Sequence, residues 1–322
     1  MQDAVIALGM GGPDSISAIE PFLKNLLTDR EIIDFGIGDK LQRFIAGRIA
    51  TKRSAKVAPN YEKMGGGSPQ LAHSKALLDK AAQLYLEGTG IELDVYIGMC
   101  YWHPFIEDSM KALLAEDSRN PYRRVYLLPL YPQYSIVTSG AAFNRVHKIM
   151  ALTAPKGTVC RISQFHTFEP YLLCLADRIK KAAKKLGLPM SEIHLMFSAH
   201  ATPKAIADKG DPYVSQLKEQ VSKLVELTQP ATHSLAYQSK LGKQEWLTPS
   251  SLNEIKTLAS SGIKNIIVLA ISFVNDHIET LIELDEELQT YGESLGLRIV
   301  RAESLNSSND FAIAVAELLR TA

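Results

Sequence analysis

The stretch NIIVLAISFVNDHIETLIELDEE (Asn265–Glu287) joins a strand pattern directly to a helix pattern. Its first part, NIIVLA, is the apolar run of a strand that is buried on both faces of a parallel sheet. Asn275 or Asp276 then offers a helix N-cap, and Glu279 follows Asp276 at the spacing of a capping box. A buried strand that leads into a helix is the building unit of α/β folds, so this stretch predicts a parallel sheet flanked by helices.

The same alternation of strand and helix patterns runs along the whole chain of 322 residues. The strand-like runs are Ala4–Leu8, Leu93–Ile97, Val125–Leu130, Thr158–Ser163, Ile193–Phe197, Ser234–Tyr237, Ile266–Ala270 and Arg298–Val300. The helix-like runs include Ser68–Glu87, Pro170–Lys185, Tyr213–Leu227 and Ser307–Leu319. We therefore predict an α/β protein with two similar Rossmann-like halves, each a roughly four-stranded parallel sheet flanked by helices. The division is expected near Ala154–Gly157, with an N-terminal domain of residues 1–153 and a C-terminal domain of residues 154–305.

The composition is that of a globular protein, with 46% hydrophobic and 22% charged residues. The 35 basic residues balance 35 acidic ones, so no overall positive charge favours binding to nucleic acid. The start, MQDAVIAL, has no basic leader, and the longest apolar run is too short to span a bilayer. We therefore expect a cytoplasmic protein.

The cysteines and glycines exclude several kinds of cofactor site. Cys100, Cys160 and Cys174 are scattered and contain no CxxC pair, which suits a reducing compartment and argues against disulfides, structural zinc or an Fe–S cluster. The loops Gly11–Pro13 and Gly65–Gly67 would let the backbone approach a flat ligand. Neither loop matches a P-loop or a GxGxxG pattern, so we expect no nucleotide cofactor.

Three carboxylates recur every four residues along the predicted helix: Glu279, Glu283 and Glu287. On an exposed helix, like charges at this spacing repel by roughly 0.2–0.5 kcal/mol per pair. A local widening toward π-helical geometry would align them more closely. One interpretation is a solvated acidic face; the other is a row of carboxylates that handles a cation or a proton. The apolar face opposite them would consist of Ile278, Leu281, Leu284 and Leu288.

His200 stands where a second apolar run, Ile193–Ala199, ends before Thr202 and Pro203. In open α/β sheets ligands bind beyond the carboxyl ends of the strands, so His200 and the segment 275–279 would open onto one rim. A single histidine at a strand end is usually a satisfied structural residue. A His and a Glu at two such ends are a candidate acid–base or metal-handling pair.

Eight segments of the chain resemble segments of the ferrochelatase family, in the same order. They are GMGGPDS (Gly9–Ser15), YEKMGGGSP (Tyr61–Pro69), YIGMCYWHP (Tyr96–Pro104), LPLYPQYS (Leu128–Ser135), FSAHATPKAIADKGDPY (Phe197–Tyr213), YQSKLGKQEWLTP (Tyr237–Pro249), SFVNDHIETLIELDEE (Ser272–Glu287) and RAESLN (Arg301–Asn306). The resemblance covers nearly the whole chain. It implies a chelatase-like fold in which the final helix, about residues 306–322, packs back on the first half. Some ferrochelatases carry a C-terminal cysteine-rich cluster extension, and this sequence ends at Ala322 without one.

The resemblance implies an enzyme of heme biosynthesis that inserts Fe(II) into a porphyrin and releases two protons, with both porphyrin and ferrous iron as substrates. His200 and Glu279 match the two positions that the family uses for metal insertion and proton removal, and the family permits either assignment of the two roles. Imidazole nitrogen suits ferrous iron. Glu283 and Glu287 would relay the proton or the metal. Asp276 and His277 are expected to orient the turn between strand and helix, because on a regular helix His277 and Glu279 would not face one ligand.

A further group of residues matches positions that hold the porphyrin in the family. The candidates that would line the apolar cleft are Met10, Tyr131, Trp246 and Phe273, each with ordinary core packing as the alternative. Tyr61, Ser68 and Arg53 are candidates for contacts with the propionates, since Arg pairs well with carboxylates. Lys52 is a weaker candidate, with solvated surface as the favoured interpretation, because the local spacing departs from the family pattern.

Cys100 is the departure from the family that matters most, because ferrochelatases commonly have Arg at this position beside Tyr101. Both residues are candidate porphyrin contacts. The loss of the cation removes a hydrogen-bond donor from the pocket and introduces a thiol that could be oxidised or bind a soft metal.

The segment 21–37 is unusually apolar in Pro21–Leu27 and at Ile32, Ile33, Phe35 and Ile37. The matching segment of the family forms a lip that rests reversibly on a membrane, and a core-facing amphipathic helix is the alternative. Protoporphyrin and coproporphyrin both remain candidate substrates, and a monomer and a homodimer are both open. A non-catalytic tetrapyrrole or metal carrier, or a chelatase for another divalent metal, is the alternative function.

Overall fold

The computed structural model describes residues 2–30, 35–240 and 244–322 of the chain. In this part of the chain, eight strands form two parallel sheets. The strands are β1 (Asp3–Gly9), β2 (Leu93–Met99), β3 (Arg124–Pro129), β4 (Thr158–Arg161), β5 (His194–His200), β6 (Thr232–Gln238), β7 (Asn265–Ala270) and β8 (Arg298–Arg301). One sheet has the order β2-β1-β3-β4 and the other the order β6-β5-β7-β8. The two sheets therefore repeat one topology, and the predicted α/β fold with two similar halves is confirmed.

Helices connect successive strands. They are α1 (Ile19–Thr28), α2 (Asp39–Lys63), α3 (Gln70–Thr89), α4 (Ile106–Arg119), α5 (Ala141–Met150), α6 (Glu169–Leu186), α7 (Lys204–Asp208), α8 (Tyr213–Thr228), α9 (Ser251–Ser260), α10 (Gln289–Ser294) and α11 (Asn309–Thr321). Two segments, Ile136–Gly140 and Glu279–Leu288, are π-helical, and Ile16–Ala18 and Met190–Glu192 form 3₁₀ turns.

The chain divides into two compact units. The first comprises Met1–Tyr131, Ser135–Ser163 and Ser307–Ala322, and the second comprises Pro132–Tyr134 and Gln164–Asn306. The division was expected between residues 153 and 154, but β4 pairs with β3 in parallel and therefore belongs to the first sheet. In the first unit α11 packs against α3, where the Lys80 ammonium donates to the Ser307 carbonyl at 2.6 Å.

The central strands are almost entirely buried, since helices cover both faces of each sheet. Every residue of β1 is buried, and so is every residue of β5 except His200 at its end. The π-helix Glu279–Leu288 packs Leu284 and Leu288 into the core of the second unit, as its apolar pattern predicted. Ile278 and Leu281 of that pattern are half-buried instead, and Ile282 is buried, because the wider π-helical turn changes which side chains face the core.

The apolar segment near the N-terminus is in part a core-facing helix. Ile19, Phe22, Leu23 and Leu27 of α1 are buried, which matches the alternative of an amphipathic helix for this part of the segment 21–37. Ile32 and Ile33 lie outside the described residues. No helix among the described residues is long and apolar enough to cross a membrane.

Candidate active site

His200 is the last residue of β5, and hydrogen bonds from two other segments fix its backbone. The His200 N–H donates to the Ser272 hydroxyl at 3.3 Å, and the Tyr213 hydroxyl donates to the His200 carbonyl at 3.0 Å. The Tyr213 and Ser272 hydroxyls are themselves 2.6 Å apart. The imidazole is therefore presented from an anchored strand end, where a parallel sheet offers its ligand-binding rim.

The imidazole of His200 meets the first carboxylate of the row. His200 Nδ1 lies 2.8 Å from Glu279 Oε2, and the two side chains are 33% and 21% exposed. Although burial opposes both charges, each partner stabilises the charged form of the other, so the pKa of His200 is raised and the pKa of Glu279 is lowered. The structure thus brings together the two residues that the sequence singled out.

The start of the helix is capped by residues other than the predicted ones. His277 Nδ1 accepts the Glu279 N–H at 3.1 Å, and Thr280 Oγ1 accepts the His277 N–H at 3.0 Å, which is a reciprocal cap. The predicted capping box of Asp276 and Glu279 is wrong, because the Glu279 carboxylate turns to His200. Burial lowers the pKa of His277, which suits a neutral ring whose Nδ1 accepts a hydrogen bond.

Asp276 connects the helix start to the segment after β8. Its carboxylate accepts hydrogen bonds from Thr280 at 3.0 Å, Ser304 at 2.7 Å and Asn306 at 2.7 Å. Arg301, whose side chain is 8% exposed, lies 3.1 Å from it. Burial raises the pKa of Asp276, but Arg301 and these hydrogen bonds outweigh it and lower the pKa. The turn before Glu279 is therefore held rigidly.

Ser239 links the first two carboxylates of the row. Its hydroxyl lies 2.8 Å from Glu279 Oε2 and 2.5 Å from Glu283 Oε2. A hydroxyl carries one proton, so it can serve both carboxylates when Glu283 is protonated and donates to the serine oxygen. Burial and the Glu279 charge raise the pKa of Glu283 to about 7, which is consistent with this arrangement. We call His200, Ser239, Glu279 and Glu283 the His200 network; Glu287, the last carboxylate, is exposed.

The remaining porphyrin candidates of the second unit are Phe273 and Trp246, and Phe273 lies beside the His200 network. The Phe273 ring stands edge-on to the His277 ring at 4.3 Å and to the His200 ring at 6.2 Å, measured between centroids. Trp246 is half-buried and bridges to Pro203. Its buried indole N–H has no hydrogen-bond partner among the described residues.

In the first unit, the exits of β1 and β2 bring three candidates together. The Tyr101 N–H donates to the Met10 carbonyl at 3.0 Å, and the Cys100 N–H donates to the Gly9 carbonyl at 2.9 Å. Met10 is half-buried, whereas Cys100 and Tyr101 are 4% and 2% exposed.

The two glycine loops of the first unit touch each other. The Ser68 N–H donates to the Pro13 carbonyl at 2.7 Å, and a Cβ on Gly67 would lie 2.4 Å from the Asp14 carbonyl oxygen. Glycine is therefore required at position 67 for this close approach.

The other first-unit candidates have the following exposure: Tyr61 is buried, Ser68, Arg53 and Tyr131 are half-buried, and Lys52 is exposed. For Lys52 this matches the solvated interpretation.

The described residues contain no cluster of three or more His, Cys, Asp or Glu side chains able to hold a metal. His200 and Glu279 form an incomplete set, with one nitrogen and one carboxylate.

The fold defines the class of the protein. SirB from Bacillus subtilis, solved with Fe3+, matches with a TM-score of 0.59 at 10% identity, covering 99% of this chain and 95% of that chain. CbiX, described as the terminal enzyme for biosynthesis of siroheme in denitrifying bacteria, matches with a TM-score of 0.54 at 13% identity over 100% and 99% of the two chains. The chain therefore has the fold of these chelatases.

The sequence defines the family more closely. The ferrochelatase family model matches residues 2–322. The curated ferrochelatase of Gloeobacter violaceus is 37% identical over 98% of this chain and 96% of its own length, and that of Aquifex aeolicus is 38% identical over 99% of both. This chain belongs to the ferrochelatase family, as its motifs predicted.

Several residues of the site were not singled out from the sequence. Ser239, Ser272 and Tyr213 all lie inside segments that resemble the family, so their place in those segments was the available signal. Arg301 and Asn306 are the first and last residues of the final segment of this kind, RAESLN. Arg145, described below, lies in none of them.

Proposed function

We propose that this protein is a ferrochelatase that inserts Fe(II) into a porphyrin with release of two protons. The observation that supports this function most directly is the His200–Glu279 pair, held at 2.8 Å at the exit of β5. Metal insertion needs a group that presents the ion and a base that removes the pyrrole protons. An imidazole and a carboxylate in contact supply both.

The hydrogen bond fixes which atom of His200 reacts. When Nδ1 donates its proton to the Glu279 carboxylate, Nε2 carries the lone pair and is the ring nitrogen that meets the metal or the pyrrole proton. The carboxylate also makes Nε2 more basic, as such partners do for metal-binding histidines. His200 therefore acts through Nε2, and Glu279 orients it and stabilises the imidazolium that forms.

A route for the released protons continues along the helix. A proton that reaches Glu279 can pass through the Ser239 hydroxyl to Glu283, whose pKa near 7 lets it take up and release a proton at neutral pH. Glu287 follows on the same helix and is exposed, so it gives the proton to solvent.

The porphyrin contacts of this proposal are assigned by the family resemblance alone. Met10, Tyr61, Ser68, Cys100 and Tyr101 of the first unit are assigned by their match to family positions. Arg53, Tyr131, Trp246 and Phe273 are assigned in the same way. His277 and Asp276 hold the turn that carries Glu279.

A reversible membrane contact is a secondary element of the proposal. Leu41 and Phe44 follow the segment 21–37 on α2 and are 51% and 60% exposed; Arg43 lies between them in the sequence and Arg48 follows Phe44 by four residues. Apolar side chains among basic ones suit the surface of an anionic bilayer. Flotation with vesicles of anionic lipid should recover the wild-type protein and less of Phe44→Ser; equal recovery of both would contradict this contact.

The function is tested by Fe(II) insertion into protoporphyrin IX and coproporphyrin III, measured side by side under anaerobic conditions. We expect catalytic turnover with at least one of them. Binding of porphyrin without metallation would instead indicate a tetrapyrrole carrier, and a strong preference for cobalt or nickel would indicate a chelatase for another metal.

A further inference from the structure

Arg301, the last residue of β8, contacts both the π-helix Glu279–Leu288 and the turn before it. Its guanidinium Nε and Nη2 donate to the two carboxylate oxygens of Asp285, at 2.7 and 2.8 Å. The third nitrogen, Nη1, lies 3.1 Å from Asp276 Oδ1. The arginine side chain is 8% exposed, so one buried guanidinium joins the middle of the helix to the turn that precedes it. A two-point contact of this kind fixes direction as well as distance.

The same cluster holds the first turn of the helix. Thr280 Oγ1 donates to Asp276 Oδ1 at 3.0 Å. Thr280 and Asp285 therefore face one cluster, although they are five residues apart. In an α-helix two residues at this spacing point about 140° away from each other. In a π-helix, whose hydrogen bonds join residues five apart, they lie on the same side. We call Asp276, Thr280, Asp285 and Arg301 the Arg301 clamp; it fits a π-helical winding and does not fit an α-helical one.

Another side of this helix carries the carboxylates of the His200 network. The Ser239 hydroxyl contacts Glu279 and Glu283, and the Glu279 carbonyl accepts the side-chain amide of Gln238 at 2.9 Å. Gln238 is the last residue of β6, and Ser239 follows it. The sheet order β6-β5-β7-β8 puts these contacts at one outer strand and Arg301 at the other. The helix is thus held at the exits of both outer strands.

The winding of the helix decides whether both contacts can form at once. If Asp285 stayed on Arg301 while the segment wound as an α-helix, Glu279 would turn about the helix axis by roughly a quarter of a circle. Its carboxylate would then leave the Ser239 hydroxyl and the His200 ring, which it contacts at 2.8 Å each. The clamp therefore bears on the position of the reacting carboxylate.

We propose that Arg301 is a positioning residue, whose bridge from Asp276 to Asp285 selects the π-helical winding of this helix. It acts through the helix, by holding Glu279 at Ser239 and His200, rather than on the substrate. The effect on catalysis rests on the proposed function, whereas the effect on the winding concerns the fold alone.

The first test is a pair of crystal structures, of Asp285→Asn and of Arg301→Lys. An asparagine offers one acceptor oxygen in place of two, and a lysine keeps the charge but has no fork. In both variants we expect at least one turn of the segment 279–288 to form α-helical hydrogen bonds, between residues four apart. A π-helix that is retained over its full length in either variant overturns the proposal.

Glu303→Gln is the matched control for these structures. It removes a carboxylate from the segment after β8, where Glu303 contacts Lys185 at 2.6 Å and not the helix. The π-helix should remain in this control. Its loss there as well would show that the winding does not depend on the clamp.

Steady-state rates test the effect on catalysis. In Asp285→Asn, kcat for Fe(II) insertion should fall by roughly fivefold or more while the KM for porphyrin stays within about twofold of the wild-type value, because the clamp acts on the reacting carboxylate. Glu303→Gln should leave both constants unchanged. A loss in Asp285→Asn that is confined to KM overturns the positioning role.

A double-mutant cycle separates positioning from a general loss of stability. If Asp285 acts by holding Glu279 at Ser239, then Asp285→Asn and Ser239→Gly disrupt the same arrangement, and their effects on kcat should not multiply. The combined variant should turn over within about twofold of Ser239→Gly alone. A fall equal to the product of the two separate effects overturns the proposal.

The crystal structures keep this inference distinguishable from the proposed function. If the wild-type protein does not metallate a porphyrin, the proposed function fails. The structure of Asp285→Asn then decides on the clamp by itself: an α-helical turn supports it, and an unchanged π-helix refutes it.

Discussion

The His200 network and the Arg145 pocket, which consists of Asp29, Tyr101 and Arg145, lie in different units and are built in different ways. In the His200 network, several separate hydrogen bonds hold the reacting residues, as where the Ser272 and Tyr213 hydroxyls fix the backbone of His200. In the Arg145 pocket, one long side chain reaches from α5 to groups on α1 and β2. The first arrangement spreads the support over many hydrogen bonds, whereas the second concentrates it in one guanidinium group.

This difference predicts that substitutions in the two regions affect different properties, catalysis in one and substrate binding in the other. A substitution in the His200 network should remove chemistry and leave substrate binding in place. Substitution of Arg145 should loosen Tyr101 at the exit of β2 and weaken porphyrin binding more than turnover. The substitutions below test the first half of this contrast, from the largest expected effect to the smallest.

His200→Ala should have the largest effect, because it removes the group that presents the metal or accepts the pyrrole proton. We expect kcat for Fe(II) insertion to fall by roughly 100- to 10,000-fold, the range for loss of a positioned acid–base group. Porphyrin affinity should stay near the wild-type value, in contrast to Arg145→Ala, and the melting temperature should move by a few degrees at most. Turnover near the wild-type rate would remove His200 from the mechanism.

Glu279→Gln should come next, with kcat lowered by roughly 100-fold, because an amide can orient the His200 ring but cannot stabilise its charge. The pKa of His200 should fall, since its elevation depends on the Glu279 carboxylate. NMR titration of the His200 ring measures that change directly. Glu293→Gln, an exposed acid on α10, is the matched control for removal of one negative charge. An unchanged His200 titration in Glu279→Gln would contradict the pairing.

Ser239 offers a sharper test, because its backbone has a left-handed φ of 65°. Glycine adopts this conformation without strain, whereas alanine does not. Ser239→Gly should therefore lose the hydroxyl while keeping or improving stability, and Ser239→Ala should lose the hydroxyl and melt lower. If the hydroxyl carries protons from Glu279 to Glu283, both variants should turn over more slowly by a similar factor, roughly tenfold. A wild-type rate in Ser239→Gly would show that the backbone conformation alone matters.

The parts of the molecule that the sequence revealed are those that depend on local pattern or on the geometry of parallel sheets. Strand-like runs predicted all eight strands of the described residues, and the signal is continuous for β1, β5 and β7, which are buried on both faces. The approach of His200 to Glu279 also followed, since strand exits of one parallel sheet share a rim. These inferences need no knowledge of how loops fold.

The features that escaped prediction depend on contacts between distant residues. The His277 and Thr280 cap arises because tertiary contacts draw Glu279 to His200 and leave the helix start to other side chains. The arginine beside Cys100 comes from α5, and no sequence spacing indicates that Arg145 reaches Asp29. The expected boundary between the units was misplaced because the sequence Ala154–Gly157 is typical of a linker. The pairing of β4 with β3 instead puts β4 in the first unit.

The smallest expected effect on turnover belongs to Glu283→Gln, and its clearest readout is the pH dependence of stability. Burial and the Glu279 charge raise the pKa of Glu283 in the folded protein to about 7, from an ordinary value of 4.5. Between these two values the folded state holds a proton that the unfolded state has released, so the stability contributed by Glu283 falls as the pH rises through this window. Glu283→Gln should remove that loss and raise the stability at pH 8 by about 1–2 kcal/mol relative to the wild type.

Melting curves between pH 5 and pH 8, a range of about three units around the folded-state pKa of Glu283, measure this difference. Glu293→Gln is the matched control for removal of one acidic side chain, because Glu293 is exposed on α10 and lies outside the carboxylate row. If Glu283 passes protons from Ser239 toward solvent, turnover in Glu283→Gln should fall by a few fold, less than in Ser239→Gly, since water can take over at the outer end of the route. If the melting temperatures of Glu283→Gln and the wild type change with pH in the same way, Glu283 is ionised throughout this pH range. The Ser239 hydroxyl could then donate to one of the two carboxylates but not to both, which would contradict the hydrogen-bonded link between Glu279 and Glu283.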